Sequence, residues 1–84
     1  MPYHVEFRPA ARREINKFPQ ALRDRIHAAV SGLEREPRPS GVKKLAGYTH
    51  RWRIRVGDYR VIYEIHDDRL VVVIIRAAHR REAY

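Results

Sequence analysis

Between residues 51 and 65 the chain is patterned so regularly as a β-hairpin that it can form little else. Arg51 to Val56 alternates strictly, with Trp52, Ile54 and Val56 on one side and Arg51, Arg53 and Arg55 on the other. That is the period-2 signature of a half-buried strand. Gly57-Asp58 is a two-residue turn signal, and Tyr59 to Ile65 answers with Tyr59, Val61, Tyr63 and Ile65 on one face. If those two residues are the whole loop, Val56 pairs with Tyr59, Ile54 with Val61 and Trp52 with Tyr63, which makes one face core. The opposite face then sets Arg55 against Arg60, Arg53 against Ile62 and Arg51 against Glu64. Directly opposed like charges destabilise a sheet, so the Arg55–Arg60 pair is a local conflict that an anion between them would resolve. Arg51–Glu64 reads as ordinary compensation.

The rest of the chain is arranged around this hairpin. Tyr3 to Arg8 alternates as a first strand. Pro9 suits the first position of a helix, and Ala11, Ile15 and Phe18 form its apolar stripe. After Pro19 a longer helix carries Leu22, Ile26, Ala29, Val30 and Leu33 on one side, and Pro37, Pro39 and Gly41 end it in a loop. Asp67-Asp68 is a second turn, and the run from Leu70 to Ile75, apolar throughout, suggests a central strand covered on both faces. The expected fold is α+β over residues 1–84 as a single domain: an N-terminal strand, two helices, then an antiparallel three-stranded meander, with the helices on one face of the sheet.

Charge narrows the function. Eighteen Lys and Arg against ten Asp and Glu give a net +8, and fifteen of the eighteen are Arg. Such a balance favours a polyanionic partner, because phosphate contacts release counterions. Arginine in particular forks onto phosphate oxygens and stacks on bases. The chain has no cysteine, which excludes disulfides and thiolate metal sites. His4, His27, His50 and His66 fall on separate elements without ligand spacing, so no metal or cofactor is expected. No apolar run is long enough to span a membrane, and the N-terminus carries no secretion signal, so the expected location is cytoplasmic.

Lys43, Lys44, Arg53, Arg55 and Arg60 gather cations around the hairpin. The tail after the last strand, Ile75 to Tyr84, adds Arg80, Arg81, an imidazole (His79) and a phenol (Tyr84). The runs Lys44-Leu45-Ala46-Gly47, Trp52 to Tyr63 with its Gly57-Asp58-Tyr59-Arg60, and His79-Arg80-Arg81-Glu82-Ala83-Tyr84 resemble toxins of the RelE/ParE superfamily, the RelE branch in particular. The likeness extends over essentially the whole chain.

The resemblance implies a metal-independent endoribonuclease that cuts messenger RNA on the ribosome. The substrate's 2′-OH attacks the adjacent phosphate and yields a 2′,3′-cyclic phosphate and a 5′-OH end. It also implies a cognate antitoxin that shields the basic face. Arg60 would hold the scissile phosphate, Arg80 would stabilise developing charge, and Tyr84 would orient the 2′-OH or stack on a base. Arg53 and Arg55 stand where some relatives carry lysine, and His79 where some carry an acid histidine. Lys43, Lys44, Arg51, Arg55 and Arg81 would bind RNA around this catalytic set of Arg60, Arg80, Tyr84, His79 and Arg53. An arginine does not give up its proton, so Arg53 and Arg55 cannot serve as general base, and His79 or Tyr84 is the candidate.

Two other readings compete. ParE-type members share the fold but poison DNA gyrase, and usually lack the terminal basic residues and tyrosine. A catalytically silent RNA-binding module would interleave aromatics on its basic face, whereas Trp52 and Tyr63 fall on the opposite one.

Overall fold

The computed structural model describes residues 2–82. Its elements are β1 (His4–Phe7), α1 (Pro9–Asn16), α2 (Gln20–Gly32), β2 (Lys43–Lys44), β3 (Arg51–Val56), β4 (Tyr59–His66) and β5 (Val71–His79). The five strands form one sheet in the order β1-β5-β4-β3-β2. The expected meander, β3-β4-β5, is its middle. β1 runs parallel beside β5, and the two-residue β2 adds an antiparallel edge opposite Arg53 and Trp52. No helix among the described residues is long and apolar enough to cross a membrane.

The hairpin register is the one the alternation requires, including Arg55 opposite Arg60 and Arg51 opposite Glu64. Gly57 sits at φ +60°, the left-handed region that this two-residue turn demands. The helices cover one face. Ala11 and Ile15 of α1 and Ile26, Val30 and Leu33 meet Ile54, Val56, Val61, Tyr63, Ile65, Val72, Ile74 and Ala77 in a single core, with Trp52 packed at its margin. The other face carries only a small apolar patch, Ile62 and Ala78 under Leu45 and Ile75.

The last strand departs from expectation in two ways. Leu70 belongs to the preceding turn at φ +54°, so β5 starts at Val71. The strand is also covered fully on one face only, since Val71, Val73 and Ile75 remain half-buried while Val72 and Ile74 are sealed. A bulge then interrupts its pairing: Tyr63 faces Ile74 but Ile62 faces Arg76, which leaves Ile75 as the extra residue. A one-residue insertion exchanges the faces of everything beyond it.

Two polar anchors hold the loop after α2. The buried Tyr63 hydroxyl donates to the Pro37 carbonyl at 2.7 Å, and burial raises its pKa well above the usual phenol value. Tyr63→Phe leaves that carbonyl without its donor. It is expected to lower stability by about 1–2 kcal/mol, read as a shifted urea midpoint.

Asp67 is the second anchor. Arg38 forks onto it at 3.2 and 2.8 Å, and the Tyr3 hydroxyl donates to it at 2.6 Å. The Arg38 hydrogen bonds, then that of Tyr3, pull its carboxyl down from 3.8 to about 2. A depressed folded-state pKa contributes stability that is complete above the unfolded value and fades as pH falls toward the folded one. Urea melts between about pH 5 and pH 2 are therefore expected to lose less stability on acidification in Asp67→Asn than in the parent. The group is exposed, so the effect is small.

Candidate RNA-binding and catalytic site

On the sheet face away from the helices, the tip of the β3–β4 hairpin meets the turn that follows β5. The two are joined by the Arg80 amide, which donates to the Asp58 carbonyl at 2.8 Å. Arg55 and Arg60 project from paired positions on β3 and β4. With Arg80, Gly57 and Asp58 they line a hollow of about 100 Å³. At about 30 Å³ per water molecule, that is the room of some three waters, close to the bulk of a phosphate group.

The turn bearing Arg80 is fixed from below. Arg76 donates to the Glu82 carbonyl at 3.1 Å, and its other nitrogens reach the Glu14 carboxylate on α1 at 3.1 and 3.3 Å. Glu14 also accepts from the Ala77 amide at 3.0 Å. This carboxylate thus closes the stretch of β5 that β1 leaves unpaired, and keeps the last turn against the hairpin.

Of the residues singled out from the sequence, Arg55, Arg60 and Arg80 come together. The others are placed elsewhere. Arg53 is buried, 6% exposed, with Lys43 opposite it on the next strand. Lys44 lies with its ammonium 5.8 Å from the Trp52 ring.

Arg51 is occupied structurally. It donates to Glu64 at 3.2 Å and stacks 4.4 Å over the Tyr48 ring. Burial alone would raise the Glu64 pKa, but hydrogen bonds from His66 and Arg51 outweigh it and hold the carboxyl below its usual range.

His79 pairs with Tyr59 across the sheet, and their rings meet edge to face at 5.3 Å. It lines a separate hollow with Phe18 and Glu14, on the helix side, because the bulge at Ile75 reverses the faces of the end of β5. Arg81 is exposed in the final turn, its amide 3.3 Å from His79 Nδ1. Tyr84 lies outside the described residues.

One cation was not anticipated. The Arg25 guanidinium of α2 passes beside the hairpin tip: a Cβ added at Gly57 would stand 3.2 Å from one of its nitrogens. The sequence places Arg25 off the apolar stripe of α2 but gives no sign that the helix crosses the hairpin at this point. Among the described residues no three His, Asp or Glu side chains converge as metal ligands.

The chain as a whole matches a known family. The family described as the ParE toxin of the type II toxin–antitoxin system parDE matches residues 5–84. Toxin RelG of Mycobacterium tuberculosis is 39% identical over 88 residues, spanning 100% of this chain and 98% of the relative. This chain belongs to the RelE/ParE family of type II toxins.

Solved structures agree. The toxin of the RelBE2 toxin–antitoxin complex of Mycobacterium tuberculosis superposes with a TM-score of 0.83 at 34% identity, covering 95% of this chain and 100% of that one. The archaeal RelE–RelB complex of Pyrococcus horikoshii gives a TM-score of 0.86 at 32% identity, over 99% and 100%. The α+β architecture deduced from the hairpin, helices and meander is that of RelE toxins.

Proposed function

We propose that this RelE-family toxin is an endoribonuclease that cleaves messenger RNA in translating ribosomes without a metal, and so arrests translation in the cytoplasm. The observation that carries the reading is the hollow lined by Arg55, Arg60 and Arg80. Arginines from two paired strands and from the anchored turn after β5 line a space of phosphate size, on a face free of helices.

In the proposed reaction the substrate's 2′-oxygen attacks the adjacent phosphorus and the bond from phosphorus to the 5′-oxygen breaks. The products are a 2′,3′-cyclic phosphate and a 5′-hydroxyl end, the leaving 5′-oxygen taking up a proton from water. Charge accumulates on the non-bridging oxygens of the phosphorane, and preorganised donors aimed at that charge lower the barrier without reorganising. Arg60 and Arg55 approach from two strands and Arg80 from the tail, so the phosphate is held from more than one side and its line of attack is set.

The proton of the 2′-hydroxyl needs an acceptor other than these arginines. Tyr84, the family's terminal tyrosine, takes that part or orients the 2′-hydroxyl. His79, on the helix side against Tyr59, is the weaker candidate. The relatives RelBE2 and RelE–RelB were solved as toxin–antitoxin complexes, which supports a cognate antitoxin as the partner that restrains this chain.

The test is tightly controlled expression with mapping of cellular RNA 5′ ends, beside Arg60→Ala and Tyr84→Phe. Cuts inside translated codons that disappear in Arg60→Ala are expected. Growth arrest with intact transcripts and a DNA-damage response would instead assign the chain to the gyrase-poisoning ParE type, and arrest with neither would leave a silent RNA binder.

A further inference from the structure

Arg53 is the only charged residue that is largely buried among the described residues, 6% exposed. No hydrogen bond or ion pair joins its guanidinium to another described residue. None of the described side-chain nitrogens is both sealed from solvent and without a partner, so the guanidinium opens into the cavity beside it, where an arriving anion would meet it.

The setting suits such an arrival. β2 pairs only with Trp52 and Arg53, so the edge of β3 beyond them is open. Beside that edge lies a pocket of about 540 Å³ with an apolar wall of Ala29, Pro39 and Ile54 and a cationic rim of Lys43, Arg53 and Arg55. Its volume falls within the usual range for small-molecule sites. Arg55 also lines the hollow it shares with Arg60 and Arg80. The two cavities are therefore consecutive stations along one cationic track.

We propose that this pocket is a second nucleotide subsite, which buries the base and ribose next to the phosphate held by Arg55, Arg60 and Arg80, with Arg53 and Lys43 on the neighbouring phosphate. The inference rests on the RNA-cleaving reading above and extends it. A base has an apolar face to lay on Ala29, Pro39 and Ile54, and arginine holds phosphate while lying flat against bases. An acidic peptide strand fits less well, since β2 already occupies Trp52 and Arg53 and leaves little of the β3 edge for a ladder.

The test uses the purified full chain and a fluorescein-labelled trinucleotide whose 2′-O-methyl groups block cleavage. Two companion probes are abasic at the 5′ or the 3′ nucleotide, and Kd is read by fluorescence anisotropy. One abasic probe is expected to bind about tenfold more weakly, the scale of losing a well-held base. Lys43→Ala and Arg53→Leu are expected to weaken the full probe and abolish that difference. If Arg53→Leu fails to fold, Lys43→Ala, which alters an exposed side chain, carries the test.

Equal binding of all three probes, or a difference that survives both substitutions, overturns the subsite. Arg60→Ala separates the two levels. If it weakens all three probes while the abasic ones bind as tightly as the full one, only the subsite falls; if it changes nothing, the RNA reading falls and takes the subsite with it. Should Lys43→Ala and Arg53→Leu spare RNA binding but weaken capture of the cognate antitoxin, the pocket belongs to that partner and the proposal is overturned.

Discussion

Arg60→Ala is expected to slow cleavage of a defined transcript by about 10²–10³-fold, the scale of removing one preorganised donor from a developing oxyanion. The measurement is single-turnover cleavage on programmed ribosomes, where product release does not mask chemistry. Arg60→Lys keeps the charge but loses the fork, and its rate is expected to fall between the two. Salt gives a second readout. Each phosphate contact on single-stranded RNA contributes about 0.7 to the slope of log affinity against log salt, so losing Arg60 flattens that slope by about this amount. Arg51→Ala is the control. Its guanidinium is committed to Glu64 and to the Tyr48 ring, so cleavage is expected to stay close to that of the parent. Arg60→Ala cleaving at the parental rate would remove the hollow from the mechanism.

The part of this site that was legible in the sequence is the part set by local rules. Period-2 alternation and a two-residue turn fix a register without further information, so the facing of Arg55 and Arg60 follows from the sequence alone, and the pairing bears it out. The helix stripes Ile26, Val30 and Leu33 and Ala11 and Ile15 were readable in the same way, and each is buried.

What was not legible depends on contacts distant in sequence. A run such as Val71-Val72-Val73-Ile74-Ile75 is apolar at every position, so it has no alternation to show where a bulge falls. The bulge decides which face the tail presents: continued alternation from Ile74 would put His79 on the arginine side, whereas the extra residue turns it toward Tyr59. Arg53 shows the same limit. It belongs to the exposed series Arg51, Arg53, Arg55 by pattern, yet it is only 6% exposed, in a cavity wall shared with residues 39–41 of the preceding loop. Arg25 needed the path of α2 across the hairpin, which no helical periodicity contains.

A second large effect separates the fold from the site. Ile15, 1% exposed, joins α1 to the core next to β5, and Ile15→Ala is expected to cost about 2–5 kcal/mol through lost burial and the cavity left behind. At about 0.05–0.15 kcal/mol per residue, a chain of 84 residues has roughly 4–13 kcal/mol in all, so the variant sits near the unfolding threshold. The same helix carries Glu14, whose carboxylate fixes Arg76 and the Ala77 amide and thereby the turn that presents Arg80. Loosening α1 therefore weakens the site as well as the core. In cells Ile15→Ala and Arg60→Ala would both score as non-toxic, for different reasons. Urea melts distinguish them: Arg60→Ala is expected to move stability by no more than about 1 kcal/mol, while Ile15→Ala shifts it by several times that. A partner that binds only the folded chain recovers the difference by mass action, so co-expression with the cognate antitoxin is expected to restore soluble Ile15→Ala. If Ile15→Ala melts like the parent, α1 is not what holds the last turn in place, and the placement of Arg80 has another cause.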